Sequence, residues 1–444
     1  MLGKEKSMWV IQTCLEESPS QEVEVTVMGQ DQRLTRFTQN YIHQNVAETD
    51  AQVRVRAING KRIGTASTNG LDRDSLMSAL LAADARSRLV PEEPMFPGLC
   101  EPRPIPEGPP ALYDSTLNCP PDLRAAYVAR AVRMAKEKGV SVAGAFSTGS
   151  LEVAIGNSKG VRAYYARTDA SMTCVAMSPT STGYAEGGGL DVAAIDPTEI
   201  AGTAIAKCLS GQDPVSIPPG EYDVVLEPLA VRDMLMYLSF MGFSGAAYRD
   251  GASFISGKMG EKVAGDNITI WDDGLDPSGY PMPFDFEGVP KQKVMLIEEG
   301  VAKGVVYDSL TAAREGREST GHSLGDLAPI PSLPLNLFMA GGEASVADMI
   351  ASTKKGILVT RFHYVNPVHP TKAIITGMTR DGTFLIENGE IVRGLKNMRF
   401  TESVLGAFSR VEALSPQKVM PGLMSIVCPA IKVRGFTFTG TTEF

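Results

Sequence analysis

The chain has 444 residues, 43% of them hydrophobic, and a formal charge of −9 with acidic and basic residues spread along its length. That length predicts two or three domains, and that composition a globular rather than disordered protein. The acidic balance, without a long basic run, argues against a nucleic-acid partner.

The elements follow in chain order. Residues 1–9 lack the apolar run of a signal peptide, and no window approaches the apolar length of a membrane span. Six scattered cysteines (Cys14, Cys100, Cys119, Cys174, Cys208, Cys428) form no C-x-x-C pair, which fits isolated reduced thiols in a cytoplasmic protein. Met8 to Glu17 is a short helix candidate. Glu22–Val27 and Gln52–Ala57 alternate apolar and polar residues, as half-buried strands do, and Asn59-Gly60 supplies a tight turn. Asp72 to Leu89 reads as a helix with an acidic start. Eight prolines between Pro91 and Pro110 then exclude both helix and central strand, so this stretch reads as an extended linker.

Beyond it, Pro121 to Lys138 is a helix ending in lysines before Gly139, and Leu151–Ile155 and Ala163–Ala166 are strand-like. A helix over Pro197–Leu209 leads to a weaker boundary at Ile217-Pro-Pro-Gly220. From Tyr222 onward, apart from a helix over Leu229–Gly242, short strands and Pro/Gly-rich loops are expected. The domains predicted are therefore 1–110, 111–220 and 221–444. The fold class is α+β, a two-part α/β N-terminal region followed by a β-rich C-terminal domain. No repeat is visible.

Several blocks occur in a recognisable order: Leu34-Thr-Arg-Phe, Val53-Arg-Val-Arg with Gly64-Thr-Ala-Ser-Thr68, and the Leu229–Gly242 helix with the glycine-rich Ser256–Gly265. Ile268–Gly274, Phe284-Asp-Phe-Glu-Gly288, Leu296-Ile-Glu-Glu-Gly300 and Phe384–Gly389 follow. Over roughly 400 residues this order resembles the TldD/PmbA peptidases, once described as modulators of DNA gyrase. In the metal-dependent branch of that family the helix carries H-E-x-x-x-H, two imidazoles binding a metal and the Glu acting as base. The three matching places here are Met236, Tyr237 and Met241. A thioether is a soft donor, a phenol a poor zinc ligand, and at about 100° per residue the two methionines lie roughly 140° apart. The family's third ligand is a cysteine well upstream of a Pro-Ala-Ile-Lys-Val-like strand, whereas Cys428 directly precedes that strand here and reads as a small buried hydrophobe.

The resemblance thus implies a TldE/PmbA-type chain with no catalytic residues and no metal of its own, any zinc residing in a TldD-like partner. It implies pairing with that metallopeptidase as a heterodimer, or a homodimer, and an unfolded peptide substrate held by strand addition. Candidate groove residues are Arg249, Asp250, Arg314, His322 and His363. Two alternatives stay open. One is a self-sufficient peptidase using His363, His369 and a further carboxylate; the other is a homo-oligomeric peptide-binding protein. Gly321-His-Ser-Leu-Gly325 matches the G-x-S-x-G nucleophile elbow, but polar and proline-rich flanks replace the strand and helix that the elbow needs. Gly187–Gly189 lacks the Lys-Ser/Thr of a phosphate loop, and the Asn267-Ile-Thr269 sequon carries no meaning in a cytoplasmic chain.

Overall fold

The computed structural model describes residues 1–420, 422 and 424–442. Pro421 and Leu423, in the stretch that would correspond to the family's cysteine turn, lie outside the described residues.

The N-terminal half is built twice from one plan. The first unit runs α1 (Lys4–Glu17), β1 (Glu22–Thr38), β2 (Tyr41–Asn59), β3 (Arg62–Thr68) and α2 (Arg73–Leu89). After the short helix α3 (Asp114–Leu117), the second runs α4 (Pro121–Glu137), β4 (Ser141–Asn157), β5 (Arg162–Met177), β6 (Thr182–Gly189) and α5 (Pro197–Ser210). The helix signals act locally: the Asp72 carboxylate accepts from the Ser75 N–H, and Pro121 and Pro197 occupy first-turn positions where a missing N–H costs nothing.

The units share one antiparallel sheet of order β3-β2-β1-β4-β5-β6. Its central seam pairs β1 with β4 from Glu24↔Asn157 to Phe37↔Gly144. The proline-rich stretch therefore connects strands of a single sheet. Long-range pairing joins what composition divides, and strands paired antiparallel with helices packed against them belong to the α+β class. Valines 23, 25 and 27 pack with α1 and α2, while Phe146, Met172 and Cys174 pack with α4 and α5. Glu24 and Thr26, on the other face of β1, are buried too. The Glu22–Val27 strand is thus covered on both sides, its polar face lying beneath the C-terminal half.

Two glycines set how closely the helices sit. A Cβ on Gly64 of β3 would meet Ala83 O and Ser87 N of α2 at 2.2 Å, and one on Gly183 of β6 would meet Ala204 O of α5 at 2.1 Å and Cys208 N at 2.5 Å. In both units the third strand passes directly under the backbone of the helix that follows.

The C-terminal half begins with β7 (Gly220–Leu226), α6 (Pro228–Gly242) and α7 (Gly245–Arg249). Next come β8 (Ile270–Asp272), β9 (Val294–Glu298), β10 (Val301–Ala302), α8 (Ser309–Arg314), β11 (Asn336–Met339) and α9 (Val346–Ala351). The last third holds β12 (Lys355–His369), β13 (Ile374–Glu387), β14 (Glu390–Gly394), β15 (Met398–Ser403), α10 (Val404–Phe408), β16 (Val411–Leu414), β17 (Lys418–Met420), β18 (Ser425–Cys428) and β19 (Ile431–Thr441). β12 and β13 are long, 15 and 14 residues, in place of the short strands expected there. They pair with each other, closing β12-β7-β19-β15-β13 into a ring. Phe362, Phe400 and Phe436 interlock between three of its strands, with Phe362 and Phe400 centroids 4.3 Å apart. A second sheet has order β10-β9-β8-β11-β18-β17, and α6 packs between β12 and β18. Among the described residues no helix is long and apolar enough to cross a membrane.

Candidate functional site

Helix α6 begins with Pro228 at its first turn and is mostly apolar, so it buries nearly its whole surface. Met241 is 4% exposed within the main core, while Met236 and Tyr237 pack partly buried against it. The Tyr237 hydroxyl donates to the Val365 carbonyl of β12, and burial, then the charge of Asp233, raises its pKa. These positions are occupied by packing and by a tie to the neighbouring strand.

Cys428 sits at the far end of the same helix. It is fully buried and its thiol donates to Pro228 O at 3.4 Å, and burial pushes its pKa upward. Pro228 and Met241 are 13 residues apart, roughly 20 Å at 1.5 Å per residue. One thiol and one helix therefore cannot converge on a common ion. The donor set of Met236, Tyr237, Met241 and Cys428 does not fit the family's metal site. Among the described residues no three His, Cys, Asp or Glu side chains gather in a group able to hold a metal.

One turn before Tyr237, the polar side of α6 faces the N-terminal sheet. Arg232 binds Glu186 of β6 at 2.6 Å and reaches Asp233 at 3.4 Å. Burial lifts the Asp233 carboxyl to about 6 against the pull of Arg232. Further along the same junction, Arg361 Nε binds Asp381 Oδ2 at 2.8 Å, and the Thr182 hydroxyl of β6 donates to Asp381 Oδ1 at 2.7 Å. A second junction uses Arg56, whose guanidinium lies 3.1 Å from Glu24 and 3.5 Å from Glu287. Each arginine serves carboxylates that would otherwise be buried without a counter-charge.

The predicted groove residues divide into three places. Arg249 and Asp250 pair with each other at 2.8 Å after α7, and Arg314 on the neighbouring α8 holds Glu93 of the proline-rich stretch at 2.5 Å. Arg314 thus fastens the N-terminal half rather than standing free in a groove. His322 is 1% exposed, with Nε2 2.8 Å from Asp272 Oδ1. Burial and then nearby Lys291 lower its pKa despite Asp272, so it is an internal structural group and not a groove residue. Its neighbour Ser323 is 3% exposed, its N–H donates to Asp285, and its hydroxyl accepts from the Gly325 N–H. A buried serine in a loop bridge, with the adjacent imidazole committed elsewhere, is not a nucleophile elbow.

His363 lies on β12 rather than in a loop, beside the cross-strand pair Arg361 and Arg380. Burial, then the charges of Arg380 and Arg361, lower its pKa. His369 lies further along the same bulged strand, paired with Ile374 where His363 pairs with Met378, roughly 13 Å along the ladder at strand rise, and the two imidazoles do not share a site. The short-range residue types were legible in sequence. The partners Asp272, Glu186 and Asp381 were not, because each comes from an element far away in the chain.

Three family models match in succession: the PmbA/TldA metallopeptidase domain 1 over residues 23–87, the central domain over 117–210 and the C-terminal domain over 219–440. An uncharacterized protein of Methanocaldococcus jannaschii is 30% identical over 220 residues, 48% of this chain and 50% of its own length. A metalloprotease TldD homolog of Buchnera aphidicola is 29% identical over 251 residues, 53% of this chain and 50% of its own. The chain thus spans about half the length of the curated relatives it matches. The crystal structure of TldE from Thermococcus kodakarensis superposes with a TM-score of 0.89 at 24% identity, covering 98% of this chain and 100% of that one.

Proposed function

The chain belongs to the TldD/PmbA metallopeptidase family, and we propose that it is the metal-free, TldE-like subunit of a peptide-processing assembly. In this reading the catalytic metal is held by a TldD-like partner. The observation that carries the proposal is the state of α6. Met241 is buried in the core, the Tyr237 hydroxyl is spent on Val365, and Cys428 lies at the opposite end of the helix. The likeness in fold to a TldE structure points the same way. The chain would shape the chamber entered by unfolded peptides, admitting extended backbone and excluding folded protein.

The test is co-purification with a TldD-like homologue from the same organism, followed by cleavage of an unfolded peptide. Cleavage is expected from the pair, with metal in the partner, and not from this chain alone. Stoichiometric zinc or iron retained by the dialysed chain, or chelator-sensitive cleavage by it alone, overturns the proposal.

A further inference from the structure

The N-terminal sheet has an edge that no described residue pairs with. β3 joins β2 only from Val53 onward, so the stretch from Tyr41 to Gln52 pairs with β1 on one side and with no strand or bridge on the other. Residues 41–50 are all exposed, among them Tyr41 (54%), Ile42 (38%) and Val46 (37%). At the far end the Asp50 carboxylate accepts from the Ala51 N–H and from Asn69, which closes the row there. Before that point, alternate N–H and C=O groups face outward without a ladder partner.

Soluble proteins guard such edges with proline, lysine, a bulge or a covering element. Between Tyr41 and Gln52 there is no proline, lysine or arginine, and the β1–β2 register runs unbroken from Gln44 to Ile58. The carboxylates of the stretch, Glu48 and Asp50, both lie toward one end. The middle is left regular, uncharged and open to another strand.

The edge fits a copy of itself. Antiparallel pairing of two identical strands about a two-fold axis sets one residue opposite itself. Centred on Val46, valine meets valine, and Gln44 of each copy faces Glu48 of the other. Leu34 and Arg36 of β1 pair with Val46 and Gln44, and directly paired residues share a face of the sheet. Leu34 and Val46 of the two copies therefore make one apolar row. Arg36, 3.4 Å from Gln44 Oε1, stands on the side from which Glu48 of the other copy approaches. Centring on Asn45 or Ala47 instead sets Val46 against Gln44 or Glu48, apolar against polar.

We infer that a second copy of this chain adds to the sheet at the β2 edge, antiparallel and centred on Val46. Two six-stranded sheets then run on as one. The pairing concerns this chain alone and is tested without the proposed metallopeptidase partner, so its failure leaves that reading standing.

Sedimentation equilibrium of the full chain at micromolar concentration is expected to give twice the monomer mass. Val46→Lys sets two ammonium groups against each other and is expected to raise the dissociation constant about tenfold. Gln44→Glu, which faces Glu48 with a like charge, weakens the pair too, and adding Glu48→Lys restores it. Under oxidising conditions Val46→Cys is expected to form a covalent dimer, because it lies opposite itself. Glu48→Cys is not, since its two copies lie roughly 13 Å apart along the strands. The native cysteines are buried or, for Cys100, half-buried. Far-UV circular dichroism checks that each variant is folded. A monomeric chain, which leaves the edge to an unfolded peptide or a different protein, overturns the inference. So does a dimer that Val46→Lys leaves intact, or one that Glu48→Cys cross-links as readily as Val46→Cys.

Discussion

Gly183→Ala and Gly202→Ala, placed under and on the same helix, are expected to shift stability in opposite directions. At Gly183 a new Cβ would stand 2.1 Å from Ala204 O and 2.5 Å from Cys208 N. Restoring an ordinary contact means moving α5 or β6 by roughly 1 Å or more. The obstruction is main chain, in a helix seated by Ala201, Ala204, Ile205 and Cys208, all buried, so rotamer changes do not relieve it. Overpacking typically costs about 1–3 kcal/mol, and a backbone clash belongs at the upper end. Gly202 lies inside α5, and its Cβ would meet only Met134 Cε, at 3.5 Å, an ordinary contact. There alanine is expected to stabilise by about 0.5–1 kcal/mol through helix propensity. Urea unfolding followed by circular dichroism reads both as midpoint shifts at constant m value. Gly64→Ala should behave like Gly183→Ala, since its Cβ meets α2 backbone at 2.2 Å. An unchanged or raised midpoint for Gly183→Ala would refute the argument that these glycines set the helix–sheet distance.

Three further outcomes follow from the buried charges and from α6. Burial raises the Glu24 carboxyl from 4.5 to about 7 despite Arg56. The folded chain then holds a proton that the unfolded chain has released, so this contribution is complete below about 4.5 and is lost as pH rises through about 7. Glu24→Gln is expected to flatten that part of the stability–pH curve, and an unchanged slope would place the effect elsewhere. Asp272→Ala strands His322 and the Asn336 N–H that both bond to Asp272. It is expected to cost about 2–5 kcal/mol, at about 1–3 kcal/mol for each buried donor left unsatisfied, and a loss under about 1 kcal/mol in the same urea assay would show that water replaces the carboxylate. Restoring the motif with Met236→His, Tyr237→Glu and Met241→His together is expected to lower stability without zinc retention after dialysis, by elemental analysis. Stoichiometric zinc in that variant would show that the third-ligand geometry survives.

The sequence by itself determined the local and chemical character of this protein. Asp72, Pro121, Pro197 and Pro228 mark helix starts because capping and proline geometry act within one turn. The donor types missing from Met236, Tyr237 and Met241 are equally a property of the residues alone. Tertiary structure decided the remainder. The doubled α-β-β-β-α plan left no visible repeat, because a close helix–strand approach needs only Gly64 and Gly183 beneath small residues, and many sequences satisfy that. β1 pairs with β4 across more than a hundred residues, so no nearby signal announces it. His322 and His363 read alike as groove candidates. One is sealed against Asp272 from fifty residues earlier and the other lies on a long strand between arginines. Burial and partnership are decided by what the chain brings back from a distance, and periodicity over a few residues carries no record of that return.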